Sequence, residues 1–93
     1  MANYMTRVEL HDATYNDYEV LHSAMAAEGF SRTITGDNGI VYHLPTAEYY
    51  RSTQLSLEQV LESARRATSR TGKHYGAIAT VANGSMWVGL ATA

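Results

Sequence analysis

Thr6, Val8 and Leu10 alternate with Arg7, Glu9 and His11, the period of a strand that buries one face and leaves the other polar. Asp12 and Thr14 then offer N-cap oxygens, Asp17 lies three residues beyond Thr14, and Tyr18, Leu21 and Met25 recur at helical spacing before Gly29 supplies a C-cap. A first helix is predicted there. Phe30, Arg32 and Ile34 alternate with Ser31, Thr33 and Thr35, the turn Gly36-Asp37-Asn38-Gly39 follows, and the β-rich run Ile40 to Leu44 stops at Pro45. That pattern predicts a hairpin. Thr46 to Leu55 shows neither period and is expected to be a connection carrying the pair Tyr49 and Tyr50.

Ser56 with Gln59 makes a capping box, and Leu57, Val60, Leu61 and Ala64 form one apolar stripe that ends near Gly72. Tyr75, Ala77, Ala79 and Val81 alternate as a fourth strand. Asn83-Gly84 is a type I′ hairpin signal, so Met86 to Leu90 is expected to return as a short C-terminal strand. The order is β α β β α β with a β extension. Right-handed crossovers and a central hairpin turn that order into an antiparallel sheet with both helices on one face, an α+β fold of the ferredoxin-like kind.

In that topology the first strand points up, the last comes down beside it, and the second helix climbs toward the same upper edge. His11 and Asp12 are therefore expected near Lys73 and His74, with Arg70 at the helix end and Asp37 in the neighbouring turn. His43 should lie at the opposite edge. The alternation also puts His11 and His74 on the side of the sheet away from the helices.

Composition adds limits. Ninety-three residues, 45% hydrophobic and 17% charged, suit one domain with a small core, which a dimer would help to bury. Without cysteine the chain has no disulfide, thiolate zinc site or thiol nucleophile. Met1 to Arg7 lacks the apolar core of a signal peptide and no run approaches a membrane span, so a cytoplasmic protein with no membrane association is expected. The net charge of −2 hides an asymmetry: residues 1–62 hold all nine acids and three bases, whereas residues 63–93 hold Arg65, Arg66, Arg70 and Lys73 and no acid. A basic helix end complements the helix macrodipole as well as it attracts phosphate.

Two imidazoles, a carboxylate and a cation are the parts needed to cleave RNA without metal. One His takes the proton from the 2′-hydroxyl, another protonates the leaving oxygen, and Lys73 or Arg70 stabilises charge on the phosphoryl group. The plainer readings are exposed strand histidines and Asp12 as a helix cap. His11, His74, Asp12 and Asp37 include metal-ligand types, but no helical His pair supports a metal site, and none is assigned. The serines lack a G-x-S-x-G context and Gly36 to Gly39 precedes no helix, which sets aside serine hydrolysis and nucleotide binding. Tyr42, Tyr49, Tyr50 and Trp87 are candidates for base stacking or for packing, and Arg51 beside the tyrosines for a phosphate contact.

The stretch Gly29-Phe30-Ser31-Arg32-Thr33-Ile34-Thr35-Gly36-Asp37-Asn38-Gly39-Ile40, running on through Leu44, resembles the central hairpin of the GhoS family, small ferredoxin-like antitoxins of type V toxin-antitoxin systems. Asp12, after Val8-Glu9-Leu10-His11, falls where that family also carries an acid before its first helix, and the likeness covers roughly residues 6–70. The resemblance implies a sequence-selective endoribonuclease that silences a toxin's messenger RNA. It implies a fold related to dimeric CRISPR-associated ferredoxin-like nucleases, with no metal or other cofactor that need be assumed. On this reading His11, Asp12 and His74 are catalytic, Arg70, Lys73, Arg51 and Asp37 contact single-stranded RNA, and the protein is a homodimer. The alternative is a non-catalytic dimeric ferredoxin-like module that only binds or assembles.

Overall fold

The computed structural model describes all residues, 1–93. Its centre is β1 (Ala2–Leu10), longer than the alternation predicts, with Tyr4, Thr6, Val8 and Leu10 buried and Asn3, Arg7 and Glu9 exposed. β4 (Glu48–Thr53) pairs antiparallel on one side of it, from Ala2↔Thr53 to Arg7↔Glu48. β5 (Tyr75–Val81) pairs antiparallel on the other, from Tyr4↔Val81 to Leu10↔Tyr75. β2 (Thr33–Thr35) and β3 (Val41–His43) form the expected hairpin, which joins β4 only through the bridge Ser31↔Tyr50. Across the molecule the order is β2, β4, β1, β5, so β4 takes the third-strand place of a ferredoxin-like sheet.

The two helices begin where their side chains dictate. Thr14 caps α1 (Tyr15–Ala27) and Ser56 caps α2 (Leu57–Ser69), each in a full capping box, with Asp17 and Gln59 as the reciprocal partners. Leu21, Ala24 and Met25 of α1 and Val60, Ala64 and Ala67 of α2 share one core with Tyr4, Val8, Leu10, Phe30 and Tyr49. Full burial of each large apolar side chain contributes about 1.5–3 kcal/mol. Both helices therefore cover the even-numbered face of β1, and the odd-numbered face is left open.

Two expectations are corrected. The segment Thr46 to Leu55 is not a mere connection, because it contains β4. Ala47 and Tyr49 are buried, but Arg51 follows them on the helix side with its guanidinium 5.2 Å from the Phe30 ring, while Tyr50 takes the open side. A cation where the pattern needs an apolar residue, and an aromatic where it needs a polar one, erase the period.

The second correction concerns the C-terminal extension. Met86 to Leu90 forms no strand and Asn83-Gly84 opens no hairpin. The chain instead crosses the lower part of the open sheet face and pairs at its end, where the His43 N–H donates to the Ala91 carbonyl at 2.8 Å and the Ala93 N–H to the Val41 carbonyl at 2.9 Å. Trp87 is drawn to Tyr42, ring edge to ring face with centroids 5.4 Å apart, which a return beside β5 would not allow. The extended tail segment thus lies against β3.

Candidate active site

Beyond Leu10↔Tyr75 the ladder runs one step further, with the His11 N–H donating to the His74 carbonyl at 2.9 Å. Residues opposite one another on antiparallel strands share a face, with Cβ atoms roughly 4.5–5.5 Å apart. His11 continues the exposed series Arg7 and Glu9; His74 continues Gly76 and Ile78. The register therefore sets His11 and His74 opposite one another on the open face, and both residues are exposed.

Asp12 follows immediately with φ of 52°, in the left-handed region. Asp tolerates that region better than most side chains, yet a non-glycine residue there still stores about 1–3 kcal/mol of strain. Thr14 does the capping, so Asp12 is not spent on the helix and stands exposed beside His11. Lys73 is one residue out of phase with His74 and turns to the helix layer, where its Nζ lies 3.5 Å from Asp17 Oδ2. The Thr14 backbone N–H, 2.8 Å from that carboxylate, and more weakly the Lys73 charge hold Asp17 below the usual carboxylate range.

Three other candidates are not brought to this edge. Arg70 reaches across the helix pair, its Nη2 3.8 Å from Glu28 Oε2, while Arg66 Nη2 lies 3.1 Å from the other carboxylate oxygen, Oε1. Arg51 is stacked on Phe30 with Nη1 buried and without a hydrogen-bond partner. Asp37 lines a cavity with Asn3 and Ala82, at the opposite end of the sheet. The physical reason is that strands of three residues do not carry the hairpin along the sheet; it folds over the open face, burying Ile34.

Residues the reading of candidate chemistry passed over share the open face. Arg7 lies 3.7 Å from Glu48 with two thirds of its side chain exposed, and Glu9 stands opposite Gly76. A Cβ at Gly76 would meet nothing within 4 Å, so the sheet below the histidines is bare. The period of β1 was enough to place both on the His11 face. On the helix side His22 and Tyr49 share a buried 2.7 Å hydrogen bond, which no spacing announces. No group of three or more His, Asp or Glu side chains is placed to hold a metal ion, and no helix is long and apolar enough to cross a membrane.

His11 and His74, opposite one another with Asp12 next in sequence and Arg7 on the same face, are the titratable groups that the upper part of the open sheet face presents. No curated protein matches the chain. The family model described as endoribonuclease GhoS matches residues 1–83, which span every strand and both helices and stop before the tail that crosses the open face. The chain belongs to the GhoS endoribonuclease family.

Proposed function

We propose that this endoribonuclease cuts single-stranded RNA at the His11–His74 edge, and that its substrate is the messenger RNA of a partner toxin. One imidazole accepts the 2′-hydroxyl proton as the 2′-oxygen attacks phosphorus. The bond from phosphorus to the 5′-oxygen breaks, and the other imidazole protonates that oxygen. The products are a 2′,3′-cyclic phosphate and a free 5′-hydroxyl. Asp12 orients or charges the imidazole pair, and Lys73 would have to leave its ion pair with Asp17 in the helix layer to offset charge on the phosphoryl oxygens. Arg7 holds the flanking backbone on the open face, whereas Arg70, Arg51 and Asp37 take no part in the chemistry.

The observation that carries this reading is the register that sets His11 opposite His74 in a chain of an endoribonuclease family. No step is routed through a metal. A cytoplasmic homodimer is part of the proposal, supported by the small core of the single chain. The test is incubation with a mixed single-stranded RNA pool, with and without EDTA, and sequencing of the cut ends. Discrete cuts that survive EDTA, carry cyclic phosphate ends and vanish in both His11→Ala and His74→Ala are the expected result. Full cleavage by both folded variants would overturn the site, and a monomer by light scattering at high concentration would remove the dimer.

A further inference from the structure

The open face carries a second feature, far from the histidines. Between the β2–β3 hairpin, the C-terminal tail and the lower end of the sheet lies a cavity of about 550 Å³, within the roughly 300–1,000 Å³ of small-ligand clefts. We propose that it is a nucleobase pocket that selects a guanine of the RNA several nucleotides from the scissile bond. The inference rests on the endoribonuclease reading and adds to it the source of sequence selectivity.

The walls are aromatic and held in place. Trp87 and Tyr42 meet at 62° with centroids 5.4 Å apart, and Tyr50 of β4 lies on the sheet side. Asn38 fixes the Tyr42 ring: its Nδ2 donates to the Tyr42 hydroxyl at 3.3 Å while its Oδ1 accepts from the Ile40 N–H at 3.0 Å. Gly36 lets the rings come close, because a Cβ there would lie 3.3 Å from Trp87 Cζ2 and 3.4 Å from Tyr42 Cε2. Aromatic faces of this kind stack bases, each worth about 1–3 kcal/mol in single-strand binding.

The polar groups choose between bases and phosphate. No lysine or arginine lines the cavity, so it is a poor phosphate site, and its one charge is the exposed carboxylate of Asp37. Asp37 forms no ion pair. A carboxylate accepts hydrogen bonds only, and guanine offers it two adjacent N–H groups on its Watson–Crick edge. Uracil offers one N–H flanked by two carbonyl oxygens that the carboxylate repels. Asn3, at the start of β1, adds an amide to the same rim.

Placement joins the pocket to the edge. Asn3 and His11 are on the same face of β1, eight residues apart, or about 26 Å at ~3.3 Å per residue. RNA spanning them passes Arg7 and the exposed Ile78. Trp87 lies beyond the family match, which ends at residue 83, so one wall of this pocket, Gly84 to Trp87, is built by the tail of this chain.

Trp87 is the only tryptophan, and its fluorescence therefore reports the pocket directly. The full-length protein is titrated with short 2′-O-methyl oligonucleotides, which resist cleavage, either all uridine or with one central guanosine. The guanosine oligonucleotide is expected to quench Trp87 and to bind about tenfold or more tightly than the all-uridine one, and Asp37→Asn to lose that preference. In parallel, cut sites of the wild-type protein should show guanine at a fixed offset, a preference that Trp87→Ala erases. RNA cleavage without quenching or guanine preference would overturn the pocket and leave the endoribonuclease standing. Guanosine-dependent quenching without cleavage would keep the pocket and overturn the His11–His74 site. A Trp87 signal that responds to protein concentration alone would mark a protein interface and also overturn the pocket.

Discussion

Tyr49→Phe removes one oxygen from the centre of the protein. Tyr49 is fully buried, and its hydroxyl shares a 2.7 Å hydrogen bond with His22 Nδ1, itself on a residue only 9% exposed. The phenyl ring keeps its edge contact with Phe30, so the loss is the hydrogen bond and not the packing. An unpaired buried nitrogen costs about 1–3 kcal/mol. In a domain of this size each kcal/mol moves the melting midpoint by roughly 4–8 °C, so about 2 kcal/mol lowers it by roughly 8–16 °C. Circular-dichroism melts at slightly alkaline pH measure it. His22→Leu on top of Tyr49→Phe should recover part of the loss, since removing both partners leaves nothing unpaired. A single Tyr49→Phe variant within about 0.5 kcal/mol of the parent would refute this account.

The same pair sets a pH dependence. Burial, and secondarily the Arg32 charge, push the His22 imidazole below its ordinary 6.5. The unfolded chain then takes up the proton at a higher pH than the folded one, so stability rises with pH between the two values. The contribution of neutral His22 is full above about 6.5 and is lost as pH falls through the lower folded value. Melts from about pH 7 to about pH 5 should show a falling midpoint that His22→Leu makes shallower. An unchanged slope in that variant would assign the acid sensitivity to other groups.

Thr14→Ala breaks the capping box of α1 and should lower stability by about 1 kcal/mol, a drop of roughly 4–8 °C in the same melts. Asp12→Gly relieves the left-handed backbone and should raise the midpoint by a few degrees while lowering RNA cleavage, the trade expected of a strained functional residue. Val8→Ala, on the buried face of β1, should cost about 2 kcal/mol without moving the cut sites. Arg7→Gln, on the open face, should stay within about 0.5 kcal/mol in stability and flatten the salt dependence of RNA binding.

What the residue pattern made legible were the elements whose signals are local. Both capping boxes formed on the residues that announced them, and β1 and β5 carry the predicted alternation. Their pairing brought His11 and His74 together, because two well-patterned strands leave one register that buries both apolar faces. β4 was illegible because Arg51 hides its charge by stacking on Phe30 and Tyr50 serves the open face, a tertiary arrangement with no local mark. Asp37 was misplaced for a related reason. The hairpin is too short to continue the sheet, and its direction is decided by Ile34 burying against the open face and by Trp87 arriving from the tail.

The division of β1 ties the proposed site to the stability of the fold. Tyr4, Thr6, Val8 and Leu10 build the core, and the residues between them, from Asn3 at the pocket to His11 at the edge, line the face on which RNA would lie. A slip of one residue in either ladder would exchange the two sets, sending Val8 to solvent and Arg7 and Glu9 into the helix layer. The same burial free energy that folds the sheet therefore sets the separation and facing of the two sites. Neither is built on a flexible loop alone, since each has one wall or one imidazole anchored in β1. That shared strand is why cut position relative to the selected base should be a fixed offset and not a distribution.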